Sequence, residues 1–468
     1  MTTDETRTDV AGQGFWRQAW GGAHGAWGWG RWALFLLVTI GLWWKPSSGL
    51  TDGLLVALGL TALVRPGRLW RAWGNPAGVA FLLLAAWAVG STTWSLDASD
   101  VVRDSLKQLP LMLGVLGLGA WLCGHGGLVV RRAILASAAV ITVRLGVEAM
   151  QLVGICGWRH LLELARYIDT SIFPDCGHTY LYTHPNVSSM LAGIAMLAFC
   201  AYLPSFWRAR ATARGRTAIV LSGLAILVNL GFIVMMCSRG PQVAFAAAVL
   251  LLPVFWLPGW KLRVAAVGLA LVAGTILVTG AAKINPRFAD TSTMRNANYR
   301  LAIWRFAGDR CILRPWTGYG FGKKAFHRMV YEHPDLPALP ILKTAQRIPI
   351  EFPHAHSYWL MLAAQGGYVA LALGLLAWGG LALGLLLVLR RLPPVSLAAR
   401  ATPALLLTLL AMIGIYGVAD YPDSTLRFAQ FLMMAAALAC IADAADRPLD
   451  EKTLSASPGS ASGGPDEA

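Results

Sequence analysis

An all-α polytopic membrane protein, with about twelve transmembrane helices and a large, partly helical periplasmic loop, is predicted by three features of the sequence. Only 13% of the 468 residues are charged while 56% are hydrophobic, and a soluble domain carries roughly 25% charged residues. Continuously apolar runs of about 18 or more residues recur along most of the length, each long enough to cross ~30 Å of hydrocarbon as a helix. They do not alternate as barrel strands do, and a helix satisfies its own backbone hydrogen bonds inside lipid. Positive side chains, finally, collect in alternate short links between the runs.

The runs predict helices near 31–48, 50–64, 76–95, 107–124, 131–156, 185–203, 217–236, 241–258, 263–281, 357–389, 400–418 and 426–444. The tenth is long for a single span and is expected to project from the bilayer or to bend near Gly379-Gly380. Arg65, Arg68, Arg71, Arg131, Arg132, Arg208, Arg210, Arg214, Arg216, Lys261, Arg263, Arg390, Arg391 and Arg400 all fall in links on one side. The positive-inside rule makes that side the cytoplasm, with both termini there. The chain then divides into an N-terminal segment 1–30, helices one to nine over 31–281, an outer loop 282–356, helices ten to twelve over 357–444, and a tail 445–468. The tail is rich in Ser, Gly, Pro, Asp and Glu and reads as disordered. The first thirty residues lack a compact apolar run ending in a cleavage site, so no cleavable signal is expected.

A net charge of +15 raises the question of nucleic acid. The arginines are not interleaved with aromatics on a soluble domain, so no nucleic-acid partner is expected. Topology and an anionic ligand on the outer side account for the excess. Seven cysteines are an odd number; Cys156 and Cys176 lie in or beside one outer loop, where a bridge is permitted.

Candidate chemistry concentrates on the outer face. In CSRGPQ, Cys237 to Gln242, Arg239 is a cation outside the positive-inside pattern. It is either a snorkelling arginine at lipid headgroups or a bidentate phosphate contact. In NYRLAIWRFAGDR, Asn298 to Arg310, Arg300, Arg305 and Arg310 lie on a predicted helix that is either merely solvated or ligand-facing. GYGFGKKAF, Gly318 to Phe326, is spaced like a phosphate loop but lacks a preceding strand; Lys323 within it is a binding candidate. In PHAHSYWLMLAAQGG, Pro353 to Gly367, His354 and His356 precede an apolar helix. They are a structural pair, a metal pair with Glu351, or a general base, since an imidazole is mostly neutral near pH 7. Arg144 and Glu148 share one face inside helix five, either neutralising each other or lining a ligand cavity. His184 and Asn186 open helix six as a cap or as substrate contacts.

Taken in order, the HPN, SRG, NYR…W, GxGxG and HxHS…G segments, with some twelve helices and a long penultimate outer loop, resemble the O-antigen ligase and polymerase superfamily over residues 30–440. The family's usual His-Asn pair reads here as His356-Ser357. The resemblance implies a multi-pass protein of a bacterial inner membrane with its active site facing the periplasm. In the ligase branch a completed glycan moves from undecaprenyl diphosphate to the lipid A–core saccharide, without nucleotide, metal or other cofactor. The implied partners are that donor, that acceptor and membrane lipids. The matching catalytic positions are Arg239, Arg300 and His356. Arg305 and Arg310 follow as binding residues by proximity, beside His354, Arg144, His184, Asn186 and Lys323. With no nucleotide outside, the donor must carry the energy, and arginines would stabilise the departing diphosphate. Three rivals stand beside this reading. They are the polymerase of the same superfamily, a lipid-linked oligosaccharide transporter, and a metal-dependent transferase using Asp97, Asp100 and Asp104.

Overall fold

The computed structural model describes residues 26–44, 49–123, 127–164, 185–236, 238–257, 259–279, 292–333, 342–343, 349–350, 354–393, 396–420 and 424–445. The chain is an all-α polytopic membrane protein. Its helices are α1 (Ala26–Trp44), α2 (Gly49–Leu63), α3 (Pro66–Trp73), α4 (Pro76–Gly90), α5 (Ala98–Leu122), α6 (Gly127–Leu164), α7 (Pro185–Arg208), α8 (Ala213–Met235), α9 (Arg239–Trp256), α10 (Trp260–Thr279), α11 (Ser292–Leu313), α12 (Lys323–Tyr331), α13 (Tyr358–Arg391), α14 (Leu397–Ala419) and α15 (Ser424–Ala445). Each of the twelve predicted segments overlaps one of these helices. Among the described residues, eight helices are long and apolar enough to cross a membrane by themselves, or nine if the bent pair α2 and α3 forms one span. The 102° bend there falls where Pro66 opens a new helix, as proline at a first helical position favours.

The starts of the helices are set locally. Asn75 caps α4 through Gly78 N, Asp97 caps α5 through Asp100 N, Thr212 caps α8 through Gly215 N, and Ser357 caps α13 through Leu360 N. Each side-chain oxygen takes a backbone N–H that the first turn leaves without a helical partner. Beyond their first turns, α4, α8 and α13 run apolar on nearly every side, as a helix bathed in lipid or in other helices requires.

Two helices sit at the centre. α7 and α14 are buried along most of their length, α14 by an almost unbroken series from Arg400 to Leu410. Val220, Leu221, Leu224 and Leu227 of α8 and Leu375, Leu376 and Leu383 of α13 are instead exposed, which is how lipid-facing surface looks in a bundle without its bilayer. At the basic end, Arg400 ties three helices together. Its Nε donates to Trp256 O at 3.0 Å, Nη1 to Leu389 O at 2.9 Å and Nη2 to Phe255 O at 3.2 Å. A guanidinium at the C-termini of α9 and α13 satisfies carbonyls that have no helical partner and complements the helix dipoles.

The bend expected in the tenth predicted helix lies elsewhere. Gly379 and Gly380 are regular helix, and Gly380 serves to let α4 approach closely at Ala77. The break is at Gly367, whose φ of 69° and ψ of −172° are not helical. The short segment before it folds back, so that Leu362 reaches Gly374, and crosses the far end of the bundle instead of lengthening the span.

What fills the break is the glycine-spaced loop after α11. Tyr319 N donates to Ala364 O at 3.0 Å, Gly320 N to Gln365 O at 2.8 Å and Tyr368 N to Pro315 O at 2.6 Å. Gly318 and Gly320 have φ of 63° and 101°, conformations that cost an L side chain roughly 1–2 kcal/mol. A Cβ on Gly318 would also strike the backbone of Gln365 and Gly367. The spacing that looked like a phosphate loop is therefore a backbone wedge. A second small core forms around it, with Ile303, Ala307, Cys311, Tyr319, Phe326, Met329, Met361 and Ala364 buried together.

The three aspartates in the link before and within α5 are also accounted for in part. Asp97 caps α5 and pairs with Arg328 at 3.2 Å; Asp100 accepts from Lys324 N at 2.7 Å and pairs with Arg103. Together they clamp α12 onto the start of α5. The Ser99 hydroxyl and the Asp100 N–H, with Arg328 and Lys324 nearby, hold the Asp97 carboxyl below its ordinary value despite burial. A depressed carboxylate stabilises the fold above its unfolded pKa, and that contribution is lost as pH falls through the lower folded value. Hydrogen exchange of α12 is accordingly expected to stay slow down to the usual carboxylate range and to accelerate only below it. Asp97→Ala should cost about 1 kcal/mol and remove the pH dependence.

Leu342–Lys343 and Pro349–Ile350 form a short antiparallel pair. Of the cysteines, Cys123, Cys200 and Cys311 are free. The Cys176 side of the anticipated bridge, Glu351, residues 1–25, 282–291, 334–341, 344–348 and 351–353, and the tail beyond 445 lie outside the described residues.

Candidate active site

The site forms where the two central helices end on the side opposite the basic links. Asp420, immediately after α14, is its hub. Its Oδ2 accepts from Asn186 Nδ2 at 2.6 Å and from the Tyr416 hydroxyl at 3.0 Å, while Oδ1 lies 3.5 Å from His356 Nδ1. Asn186, at the second position of α7, in turn accepts from the Ser238 hydroxyl. It bridges α7, α9 and α14. Ser238 precedes Arg239, the first residue of α9, so the same network fixes where that helix begins.

His356 is held by both neighbours and by the loop above it. Its backbone N donates to His354 Nδ1 at 3.2 Å, and the two rings meet edge to face at 4.3 Å. Trp304 Nε1 donates to Ala355 O at 2.8 Å, Tyr358 N to Asp420 O at 3.1 Å, and Ser357 Oγ to Gly417 O at 3.4 Å. These bonds sustain a φ of +49° at His356, the one left-handed non-glycine residue among those described. Such strain persists only where surroundings over-determine it, and it clusters at functional sites. Ser357 supplies the cap of α13.

Arg300 reaches the same place from α11, donating Nη1 to Ala419 O at 2.8 Å, one residue before Asp420. A guanidinium has five N–H donors, and this bond commits one of them. His354, His356, Arg300 and Asn186 are thus brought together, with Arg239 at the neighbouring helix start. The remaining candidates fall elsewhere. Arg305 is exposed on α11. Arg310 is buried between α11 and α12, with Nε on Met329 O at 2.7 Å and its guanidinium 3.7 Å from the Phe306 ring centre. That is a packing role. Lys323 opens α12 beside the Asp100 clamp. Arg144 and Glu148 are buried in α6, and Glu148 Oε1 accepts from Ser188, two residues beyond Asn186 on α7, at 2.9 Å. His184 lies outside the described residues.

Asp420, Tyr416 and Ser238 were not foreseen as site residues. Asp420 sits in VADYPDS, which reads as an ordinary link. A signal was present: a carboxylate directly at the outer end of an apolar helix, in a loop with no positive-inside role.

Fold and site together define the class, a polytopic membrane protein whose polar groups converge at one end of the bundle. Residues 224–375 match a family model described as O-Antigen ligase, a stretch that contains Arg239, Arg300 and His356 but neither Asn186 nor Asp420. A curated O-antigen ligase of Pseudomonas aeruginosa is 25% identical over 263 residues, covering 56% of this chain and 57% of that protein's length. Both are similarities to O-antigen ligases over part of the chain.

Proposed function

We propose that the chain is a glycosyltransferase that moves O-antigen polysaccharide from undecaprenyl diphosphate to a hydroxyl of the lipid A–core, at the periplasmic face of the inner membrane. The observation that carries this reading is the approach of His356 to Asp420 beside Arg300, at the end of the bundle opposite the basic links. The acceptor hydroxyl gives its proton to His356 Nε2 while its oxygen attacks the anomeric carbon. The bond from that carbon to the diphosphate breaks, and the lipid diphosphate departs with the electron pair. Asp420 faces Nδ1, which fixes the tautomer with Nε2 as acceptor and stabilises the imidazolium once formed. The 3.5 Å separation is long for a hydrogen bond, as is common before substrate binds. Direct displacement inverts the anomeric centre.

Charge grows on the leaving diphosphate, and two features meet it. Arg239 and Arg300 offer forked donors that match phosphate oxygens, and Arg239 stands at the positive end of the α9 dipole. His354 and Asn186 act by holding His356 and Asp420. In this reading Arg144 and Glu148, buried on α6 with Glu148 accepting from Ser188 of α7, support the site from below. Removing one preorganised donor costs about 10²–10³ in rate. Arg300→Ala is therefore expected to lose that much transfer in vitro with a defined lipid-linked donor and core acceptor; a full rate in that variant would remove Arg300 from the chemistry. Ligase and polymerase separate in cells. Deletion should leave bare core and accumulated lipid-linked polymer, whereas loss of a polymerase leaves single repeat units on the core.

A further inference from the structure

The exposed surface of α11 changes character along its length. Its middle is mixed, with Leu301 47% exposed beside exposed Arg305 and Asp309. Over its last turn and the following residues they are Ile312, Leu313 and Trp316, which are 67%, 58% and 68% exposed. Three large apolar side chains on the tip of a polar loop are costly in water, at roughly 25 cal/mol per Å² left uncovered.

The depth of that tip follows from backbone ties. Pro315 O accepts from Tyr368 N, just past the break in α13, and Leu389 of the same helix is tied to Arg400 at the basic end. Twenty-one residues of helix separate Leu389 from Tyr368, about 32 Å. Twenty residues separate Arg400 from Asp420, about 30 Å at the same rise. Both spans equal the ~30 Å hydrocarbon thickness, so Tyr368, Pro315 and the end of α11 lie at the hydrocarbon boundary on the site side. Trp94 Nε1 donates to Thr317 O at 2.8 Å and Trp87 Nε1 to Gly366 O at 2.8 Å. Both indoles thus stand at this level, where tryptophan is enriched. Tyr368 is 42% exposed, and below it on the same helix come Leu375 and Leu376 at 52% and 62%. The apolar tip of α11 is continuous with lipid-facing surface.

We propose that Ile312, Leu313 and Trp316 form an interfacial anchor that seats the outer loop in the acyl–headgroup boundary of the site-side leaflet. The partner is bilayer phospholipid. The anchored tip is wedged by Gly318–Gly320 into the α13 break, and the segment before that break carries His356 at its start. The anchor thereby holds the base at a fixed height above the leaflet through which a lipid-borne donor must arrive. This inference rests on the membrane fold and not on the transfer reaction, so activity is not its readout.

The test places a photoreactive benzoyl-phenylalanine at Leu313 of the full chain, in vesicles of phosphatidylethanolamine and phosphatidylglycerol with radiolabelled acyl chains. Comparison positions are Leu376 on the lipid-facing side of α13 and Glu332, 54% exposed at the end of α12. Leu313 should capture labelled lipid about as strongly as Leu376 and several-fold more than Glu332. Lipid capture no higher than at Glu332, or a chain-to-chain adduct in place of lipid, would overturn the anchor. Probes at Ile312 and Trp316 repeat the measurement should the Leu313 variant fail to fold.

Discussion

His356→Asn is expected to lower glycan transfer by about 10²–10⁴-fold, the usual contribution of a positioned general base. Asparagine is the informative replacement, because His356 has a φ of +49° and asparagine tolerates left-handed backbone better than alanine does. The variant should therefore keep the Trp304 to Ala355 bond and the Ser357 cap and still bind the lipid-linked donor. Measured in vitro, the loss should appear in turnover rather than in donor affinity, since the imidazole acts on the acceptor proton. A loss confined to donor affinity would assign His356 to binding.

Asp420→Asn should be nearly as damaging, again in the range of about 10²–10⁴-fold, because an amide neither fixes the imidazole tautomer nor stabilises its cation. The same change turns an acceptor-only group, approached by Asn186 and the Tyr416 hydroxyl, into one that also presents two N–H donors. Two variants separate orientation from charge. Tyr416→Phe removes one hydrogen bond to the carboxylate and should cost roughly 1.5–3 kcal/mol of stability with a small effect on rate. Asp420→Glu keeps the charge and should recover part of the rate that Asp420→Asn loses. If Asp420→Asn and Tyr416→Phe proved equally mild, the carboxylate would be a structural tie and not a partner of His356.

The membrane architecture was legible because lipid imposes a strong rule: apolar runs of bilayer length and positive charge on one side. Every predicted run overlaps a helix. Arg400 illustrates the limit of that rule. It reads as a topological charge, yet it holds three carbonyls of α9 and α13. The glycines at 318 and 320 drew notice for their spacing, but spacing cannot say that their free backbone meets the break at Gly367, 47 residues away. The nearer pair at Gly379 and Gly380 looked the better hinge and is plain helix. Within the site, His356 and Arg300 stood out as polar groups beside an apolar helix or in a long outer loop. Asp420 did not, since its meaning depends on α7, α13 and α14 ending at one level. Arg305 and Arg310 show the converse. Proximity in sequence to Arg300 put them forward, and helical rotation sends one to the surface and the other into packing.

The most direct measurement is made on the purified protein in lipid vesicles, with a defined undecaprenyl-diphosphate glycan and a core acceptor. It counts lipid diphosphate released against glycan joined to acceptor and reads the configuration of the new bond. A single displacement driven by the imidazole and guanidinium groups yields one lipid diphosphate per joined glycan, only with acceptor present, and an inverted anomeric centre. Retained configuration, or release at the same rate without acceptor, would contradict it.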